Sequence, residues 1–327
     1  MQLMNVYENI TLRDRNTFGI DVKARRMLVL EPGDDLSALP VDGPCLILGG
    51  GSNMVFTKDF DGTVVTLSHS DNQEPVLSGD FVTAWGGMEM DDLVQWTLDN
   101  GLYGMENLSA IPGTVGASAV QNVGAYGAEA KDFIEGVEAY DMAERRHRTF
   151  TNADCRFAYR YSMFKEHPNR YIILRVTYRL SRTFTPNLSY KALEGLPHAS
   201  AQQLRDSITA LRWQKLPRPE EYGSAGSFFK NPVVDEAAYR RLRAGYPDMP
   251  EAHTVGGTFK LSAGWLIDCA GWKGRKQGRA GVWPKNALVL YNTGGCTGDE
   301  VRSLAAAIRD DIFRKFNITL IPEAIII

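Results

Sequence analysis

The sequence predicts an α+β fold that is divided into more than one domain. Its 327 residues are more than a single hydrophobic core usually organises. Short apolar runs between glycine-rich turns, typical of strands, are interspersed with longer stretches whose apolar residues have helical spacing. Two closely spaced prolines in the segment 215–219 stop regular structure, which predicts a linker and a domain boundary near residue 215.

Before this boundary, the pattern alternates between strands and helices. Strands are predicted at 26–30, 45–48, 64–67, 81–85, 134–141 and 171–180. A helix is predicted over 89–100 from its apolar spacing, and Gly101 follows where a C-cap glycine belongs. Residues 109–127 hold too many glycines for a plain helix or strand. A loop with a short helix is expected at 32–39, and a polar helical segment at 152–164.

After the boundary, the pattern again mixes both kinds of element. Helices are predicted at 235–243, 263–270 and 299–316, and strands at 287–291 and 318–320. A glycine-rich basic loop is expected at 273–281. No internal repeat or low-complexity segment is present in the sequence.

The composition excludes several classes of protein. A formal net charge of −3 provides no overall field for nucleic acid or anionic lipid, so neither is expected as a partner. No apolar run approaches the roughly 18 residues of a membrane span, and residues 1–15 lack the apolar core of a signal peptide. The four cysteines and five histidines are scattered, which predicts neither a metal site nor a disulfide framework. We therefore expect a cytoplasmic protein that holds any anionic ligand with local cations or backbone N–H groups.

Two glycine-rich segments indicate a ligand site. The first, LGGGSN at 48–53, follows a predicted strand, and its glycines can adopt positive φ and direct successive N–H groups at one oxyanion. It matches neither the Rossmann nor the P-loop pattern. The second, IPGTVGASAVQNVGAYG at 111–127, allows close approach of the main chain and offers Gln121, Asn122 and Tyr126 for hydrogen bonding and stacking. Each segment alone is compatible with an ordinary turn or packed hairpin.

Together, the two segments resemble the FAD-binding domain of the vanillyl-alcohol-oxidase type, in which the dinucleotide lies between two α+β subdomains. Over nearly its whole length, the chain resembles the UDP-N-acetylenolpyruvoylglucosamine reductase family, in its longer, type I branch. Besides the two segments, the motifs that carry this resemblance are NTFG at 16–19, YRYS at 159–162, SAGSFFKNP at 224–232, SAGWLID at 262–268 and Pro-Glu at 322–323. The resemblance implies FAD-binding subdomains at 1–65 and 66–214, a substrate-binding domain at 215–320, and a C-terminal strand at 321–327 that returns to the first subdomain.

The resemblance also implies the cofactors and the reaction. FAD would be bound non-covalently and reduced by NADPH, which leaves before the substrate enters the same cleft. The reduced flavin N5 would give hydride to the methylene carbon of UDP-N-acetylglucosamine enolpyruvate, forming UDP-N-acetylmuramate for peptidoglycan. The residues expected to contact FAD are Gly49, Gly50, Gly51, Ser52, Asn53, Met54, Ile111, Pro112, Gly113, Thr114, Gly116, Ala117, Gln121, Asn122, Gly124, Ala125 and Tyr126. A monomer is expected.

Three residues are implied to be catalytic. Arg160 would stabilise the enediolate-like charge on the substrate carboxylate, since a guanidinium can bind a carboxylate with two hydrogen bonds. Ser227, beside Gly226, would protonate the adjacent carbon, and Glu323 would donate a hydrogen bond to the enediolate. Without the family motifs, these residues would be read as a surface arginine, a turn or N-cap serine, and an exposed terminal glutamate.

The substrate's diphosphate needs local cations and donors. By resemblance, the substrate contacts are Tyr190, Lys215, Asn231, Lys273 and Asn286, with Tyr190 in the loop that closes over the nucleotide in the type I branch. The chain departs from the common family pattern at Trp283, where many members have histidine, and at Ile325, where many have arginine. These departures affect the expected substrate anchoring and leave the reaction type unchanged.

Two alternatives stay open on the sequence. The first is another FAD-dependent oxidoreductase or oxidase of the same fold; many such oxidases attach FAD to a histidine, and neither glycine-rich segment contains one. The second is a flavin-binding module without turnover, which would have no use for a proton donor in an open pocket.

Overall fold

The structure is a computed structural model that describes residues 4–41, 43–69 and 73–327. The chain forms two compact units, each assembled from three separate stretches. The first unit comprises Met1–Ile10, Ala24–Gly50 and Phe60–Arg212, and the second comprises Thr11–Lys23, Gly51–Asp59 and Trp213–Ile327. No helix within the described ranges is long and apolar enough to cross a bilayer.

Strands and helices are numbered along the chain. The strands are β1 (Asn5–Thr11), β2 (Lys23–Leu30), β3 (Cys45–Ile47), β4 (Met54–Val55), β5 (Phe60–Leu67), β6 (Val76–Ser78), β7 (Phe81–Trp85), β8 (Gly124–Ala125), β9 (Ala128–Glu129), β10 (Ile134–Asp141), β11 (Arg146–Thr151), β12 (Tyr171–Arg179), β13 (Ser224–Ser227), β14 (Val233–Val234), β15 (His253–Val255), β16 (Thr258–Lys260), β17 (Lys276–Gln277), β18 (Ala280–Val282), β19 (Val289–Asn292) and β20 (Ile325–Ile326). The helices are α1 (Met90–Asp99), α2 (Val115–Gln121), α3 (Met163–Glu166), α4 (Ala201–Lys215), α5 (Glu236–Gly245), α6 (Ala263–Cys269) and α7 (Gly298–Phe316). Short 3-10 turns occur at Arg13–Arg15, Leu36–Ala38, Glu106–Leu108, Ala130–Asp132 and Lys191–Leu193.

The first unit is built on two sheets. One has the strand order β1-β2-β5-β3, with β5 parallel to both β2 and β3. The other has the order β11-β10-β12-β7-β6 and is antiparallel throughout. Strand β12 is buried on both faces: Ile173 and Val176 join the core beneath α1 and α2, whereas Ile172 and Leu174 join the core shared with the four-stranded sheet. This alternation explains why the first four residues of β12, 171–174, are all apolar and buried, since successive side chains point to opposite faces.

The second unit is built on smaller sheets. The order β13-β19-β18-β17 and the order β14-β16-β15 are both antiparallel, and the C-terminal β20 pairs in parallel with β4. Helix α7 packs against β18 and α6. It begins with a capping box between Thr297 and Glu300 and ends at Asn317, which has φ of 55°.

Most predicted elements are confirmed, three expectations are wrong, and one helix was missed. Residues 152–164 are mostly turns, and only α3 is helical there. The basic loop at 273–281 contains the β17–β18 hairpin. Residues 318–320 form no strand; the closing strand is β20. Helix α4 was not predicted, because its exposed face is rich in Gln, Arg and Asp and few apolar residues repeat. The three-domain division remains a prediction.

Candidate functional site

The two glycine-rich segments touch each other in the first unit. A Cβ on Gly49 would lie 2.9 Å from both the Thr114 hydroxyl oxygen and the Ala117 Cβ. A Cβ on Gly50 would lie 2.9 Å from the Gly113 Cα. Real Cβ atoms do not approach this closely, so glycine is required at both positions for the end of β3 to pack on the second segment.

The second segment folds as a short helix with special conformations at its ends. The Thr114 side chain caps α2 by accepting from the Ala117 N–H at 3.3 Å. Asn122 ends the helix with φ of 46°, in the left-handed region. Gly116 packs against the sheet, where an added Cβ would lie 3.2 Å from the Ile173 carbonyl oxygen. Small residues therefore bring α2 onto β12 and leave backbone at the surface that faces the glycine loop.

This arrangement fits a dinucleotide. A cradle lined by Cα atoms, small side chains and one capping hydroxyl lets main-chain N–H groups approach phosphate oxygens directly. Bulkier residues at Gly49 and Gly50 would push the two segments apart, because an added Cβ at either position would lie 2.9 Å from the second segment. The residues of the first unit thus suit the pyrophosphate of FAD.

Asn122 has a buried side chain that bonds to protein groups on three sides. Its amide nitrogen donates to the Ala158 carbonyl at 2.9 Å and to the Glu129 carboxylate at 3.2 Å, and its oxygen accepts from the Lys131 N–H at 3.0 Å. The side chain therefore fastens the turn that carries Arg160 to the end of α2.

Arg160 lies against the second glycine-rich segment. It occupies the turn closed by two reciprocal backbone bonds between Ala158 and Tyr161, at 3.1 and 3.0 Å, and has φ of 54°. Its guanidinium donates to the carbonyl oxygens of Gly124 at 2.6 Å and Asn122 at 3.4 Å. A residue with a side chain in this left-handed region is uncommon and clusters at functional sites.

Tyr190 lies beside Tyr126, the aromatic residue near the end of the second segment. Their rings meet edge to face, with centroids 5.5 Å apart. Burial raises the pKa of Tyr126, and the Arg212 guanidinium lies 6.0 Å from its ring centroid. The Asn107 amide donates to the carbonyls of Tyr126 at 2.7 Å and Asn187 at 2.9 Å. The predicted substrate loop is thus tied to the predicted flavin segment.

Helix α4 contributes an arginine pair that the sequence analysis missed. Ala110 directly precedes the second segment and has φ of 55°. Its N–H donates to Asp91 at 2.6 Å, and its carbonyl accepts from Arg212 at 3.2 Å. Arg205 holds the same Asp91 carboxylate with two bonds, at 2.5 and 3.0 Å. Both polar backbone atoms of Ala110 are therefore held by a charged cluster, here called the α4 clamp (Asp91, Arg205 and Arg212).

In the second unit, the glycine loop continues at Gly51. This residue has φ of 63°, and an added Cβ would lie 2.1 Å from the Arg15 carbonyl oxygen and 2.8 Å from the Asn16 Cα. The Gly51 carbonyl accepts from the Thr17 N–H at 3.3 Å. The NTFG motif therefore supports the loop, and only glycine satisfies both the space and the backbone conformation.

Ser227 and Glu323 are brought to neighbouring backbone positions. Ser227 is exposed and follows Gly226, which has φ of 63°. The Glu323 N–H donates at 2.8 Å to the carbonyl of Phe228, the residue after Ser227. The Asn53 amide donates at 3.2 Å to the Glu323 carbonyl. Hydrogen bonds thus join the backbone next to Ser227, the backbone of Glu323 and Asn53 at the end of the glycine loop.

The residues expected to contact the substrate diphosphate have protein partners. The Asn231 side-chain oxygen accepts from the Ala263 N–H at 3.0 Å, at the start of α6. Lys273 forms an ion pair with Asp268 at 2.9 Å, and Lys215 is the last residue of α4. Lys273 has three donors, so one ion pair does not exhaust its capacity.

Asn286 and Trp283 lie in one turn. The Asn286 side-chain oxygen accepts from the Leu288 N–H at 3.1 Å. Trp283 packs between Tyr222 and Tyr291, with ring centroids 5.4 and 5.2 Å away. Its buried indole nitrogen finds no hydrogen-bond partner among the residues that the structure describes. The departure from the family pattern at this position is thus accommodated by an aromatic cluster.

Each unit gathers part of the predicted site. The first unit groups Gly49, Gly50, the segment 111–126, Arg160 and Tyr190. The second contains Gly51, Ser52, Asn53, Met54, Lys215, Ser227, Asn231, Lys273, Asn286 and Glu323. Sequence reasoning missed Asp91, Asn107, Lys165, Arg205 and Arg212, whose importance depends on contacts distant in sequence. Among the residues that the structure describes, no group of three His, Cys, Asp or Glu side chains could hold a metal ion.

Comparison with known proteins gives matches to both parts of the chain. Residues 41–149 match the profile of an FAD binding domain, and residues 218–327 match that of the UDP-N-acetylenolpyruvoylglucosamine reductase C-terminal domain. The curated UDP-N-acetylenolpyruvoylglucosamine reductase of Pseudomonas aeruginosa is 43% identical over 337 residues, with 98% of each chain covered. That of Burkholderia ambifaria is 45% identical over 331 residues, covering 96% of this chain and 95% of the relative.

A solved structure agrees with the fold. The crystal structure of the corresponding reductase from Thermus caldophilus superposes with a TM-score of 0.73 at 24% identity and covers 99% of both chains. The fold and the paired glycine segments define an FAD-dependent oxidoreductase with an α+β architecture. The chain belongs to the UDP-N-acetylenolpyruvoylglucosamine reductase family. The family resemblance, the α+β fold and the choice of FAD made from the sequence are thereby confirmed.

Proposed function

We propose that this chain reduces UDP-N-acetylglucosamine enolpyruvate to UDP-N-acetylmuramate, a peptidoglycan precursor, with NADPH as the source of hydride and FAD as its carrier. Family membership over almost the whole length supports this reaction. The observation that carries it at the residue level is the backbone bond from Glu323 to Phe228. It sets the backbone of Glu323 beside Phe228, the residue after Ser227, and a reductase that must protonate carbon needs donors such as a hydroxyl and a carboxyl group.

When bound and reduced by NADPH, the flavin would supply a hydride to the methylene carbon of the enolpyruvyl group. The protein must then stabilise negative charge on the neighbouring carboxylate and deliver a proton to the adjacent carbon. Arg160 is assigned to the carboxylate, because a guanidinium matches its geometry with two hydrogen bonds. Ser227 is assigned as proton donor, since its exposed hydroxyl follows a glycine that leaves room for the substrate. Glu323 is assigned to donate a hydrogen bond to the same charge.

The diphosphate and nucleoside are assigned to the remaining polar residues. Lys215 and Lys273 supply positive charge, and Asn231, Asn286 and Tyr190 supply hydrogen bonds. The exposed ring of Tyr190, with 43% of its surface accessible, can move against Tyr126 without breaking a buried contact. We also assign the division 1–65, 66–214 and 215–320, with the C-terminal strand 321–327 returning to the first subdomain, and a monomeric state in the cytoplasm.

An anaerobic redox experiment tests the proposed function. NADPH added to the purified holoenzyme should bleach the flavin absorbance, and subsequent addition of the enolpyruvyl nucleotide should restore it with formation of one UDP-N-acetylmuramate per flavin. Mass spectrometry identifies this product. Bleaching without recovery on the nucleotide would overturn the proposal, and oxygen consumption with small alcohols would favour an oxidase of the same fold.

A further inference from the structure

Lys165, in the short helix α3, contacts the backbone of Arg160. Its ammonium group donates to the Arg160 carbonyl oxygen at 3.1 Å and to the Gln121 side-chain oxygen at 2.5 Å. Gln121 is the last residue of α2 and belongs to the second glycine-rich segment. One half-buried lysine therefore joins the catalytic turn to the flavin segment.

The rest of the turn is fastened to the same segment. The Ser162 hydroxyl donates to the Val120 carbonyl at 2.6 Å, and the Asn122 amide donates to the Ala158 carbonyl at 2.9 Å. Both Ser162 and Asn122 are completely buried. These two bonds hold the flanks of the turn, whereas Lys165 bonds to Arg160 itself.

The backbone at Arg160 needs such support. Its φ of 54° lies in the region that favours glycine, because a Cβ crowds the following carbonyl oxygen there. Rotation about the N–Cα bond of Arg160 to negative φ would relax this conformation, and it would swing both the carbonyl oxygen and the side chain of Arg160 to new positions. An ammonium bonded to the Arg160 carbonyl opposes that rotation, since a charged donor makes a stronger hydrogen bond than a neutral one.

We propose that Lys165 is a positioning residue for the reaction: it fixes the Arg160 peptide so that the guanidinium stays directed along the Gly124 carbonyl and meets the substrate carboxylate. The inference rests on the proposed function of Arg160. Lys165 acts through Arg160 and does not touch the substrate, so its removal should affect catalysis by misplacing one charge.

Substitution Lys165→Met keeps the length of the side chain and removes the donor. We expect the rate of flavin reoxidation by the enolpyruvyl nucleotide to fall about 10–100-fold, the size of effect that a displacement near 1 Å produces. Flavin reduction by NADPH and FAD content should stay within about twofold of wild type. Lys165→Arg restores a charged donor and should recover part of the rate.

Lys131→Met is the matched control. The Lys131 ammonium pairs with Asp132 at 2.8 Å and Glu129 at 3.5 Å, in the same region of the first unit. The substitution Lys131→Met removes an equal charge near the second glycine-rich segment and leaves the hydrogen bond to the Arg160 carbonyl intact. Its reoxidation rate should match wild type.

A double-mutant cycle decides the inference. In an Arg160→Ala background, Lys165→Met should cause no further loss, because the residue through which it acts has no guanidinium to place. A full additional loss in that background, or an equal loss in both half-reactions together with loss of FAD, would overturn the positioning role. An unchanged rate of flavin reoxidation in Lys165→Met would also overturn the positioning role. Failure of the wild-type protein itself to reoxidise would instead overturn the proposed function.

Discussion

The side-chain amide of Asn53 donates to the main-chain carbonyl of Glu323 at 3.2 Å, across 270 residues of sequence. The Asn53 carbonyl in turn accepts from the Ile325 N–H at 2.9 Å, and β20 continues this pairing against β4. The end of the glycine loop and the segment that carries Glu323 are therefore joined by hydrogen bonds and by strand pairing. Ile325, which departs from the family pattern, contributes its backbone to this pairing, and 42% of its side chain is exposed.

The first prediction concerns the chemical role of Glu323. Glu323→Gln keeps a hydrogen-bond donor at the end of the side chain, whereas Glu323→Ala removes it. We expect Glu323→Ala to slow flavin reoxidation by the enolpyruvyl nucleotide about 10²–10³-fold, the range for loss of one hydrogen-bond donor to a developing negative charge. Glu323→Gln should retain more of the rate. Stopped-flow absorbance measures both variants, and the reverse order of activity would contradict the donor role.

The second prediction concerns the contact between the glycine segments. Gly50→Ala places a Cβ 2.9 Å from the Gly113 Cα, so backbone must shift. Overpacking of this kind costs about 1–3 kcal/mol, which should appear as weaker FAD binding when apoprotein is titrated with FAD. The control is Gly245→Ala in α5, where a Cβ meets no atom within 4 Å. Equal FAD affinity in the two variants would show that the cradle does not hold the cofactor.

The third prediction concerns the α4 clamp. Arg205→Met removes the two hydrogen bonds that Arg205 donates to Asp91. The Asp91 carboxylate is then less firmly positioned to accept from the Ala110 N–H. Because the Asp91 side chain is 36% exposed, we expect a modest cost of about 1 kcal/mol, measured as weaker FAD binding. Arg240→Met removes an exposed pair with Glu236 in the second unit and serves as control. Equal FAD affinity for Arg205→Met and wild type would show that the clamp does not shape the site.

The fourth prediction concerns stability against acid. The bonds from Arg170 lower the pKa of the buried Asp141 from 3.8 to about 2. A pKa lowered by folding means that the ionised carboxylate stabilises the fold above about pH 4, and that this contribution is lost as the pH falls toward 2. At about 1.4 kcal/mol per pKa unit, Asp141→Asn should lower the free energy of unfolding at pH 7 by about 2 kcal/mol.

The free energy of unfolding, measured by urea titration of wild type and Asp141→Asn at a series of pH values, checks this prediction. The difference between the two proteins should shrink as the pH falls through the range from 4 to 2. A difference that is independent of pH would show that the ion pair with Arg170 is not its source. FAD binding should be unchanged in the variant at neutral pH, since Asp141 lies at the end of β10 and bonds to Arg170, Ala143 and Glu144, which lie outside both glycine-rich segments.

Elements defined by local patterns were predictable from the sequence. Strand β7 and helix α1 follow from apolar spacing, and Gly101, with φ of 66°, follows the helix as expected. The glycine segments and the residues Arg160, Ser227 and Glu323 were recognisable because ordered family motifs carry them. Apolar spacing was sufficient to predict the strand and the helix, whereas the site residues were recognised from the family motifs.

Features that depend on distant contacts were not predictable. Strand β20 is two residues long and pairs with β4; its own apolar pattern does not reveal it, and only the resemblance implied a returning C-terminal strand at 321–327. Asn122 was expected to face the cofactor, and the structure shows its amide bonded to the turn that carries Arg160. Lys165 and Arg212 looked like ordinary charged residues of polar segments. Lys165 bonds to the Gln121 side chain across 44 residues, and Arg212 bonds to the Ala110 carbonyl across 102 residues, which no periodicity reveals.

The most direct test of the account is to measure both half-reactions of Ser227→Ala anaerobically by stopped flow. We predict that NADPH still reduces the flavin at close to the wild-type rate, while reoxidation by the enolpyruvyl nucleotide slows about 10²–10⁴-fold. That result would place the Ser227 hydroxyl in the protonation of carbon. Equal slowing of both half-reactions, or unchanged reoxidation, would contradict the assignment.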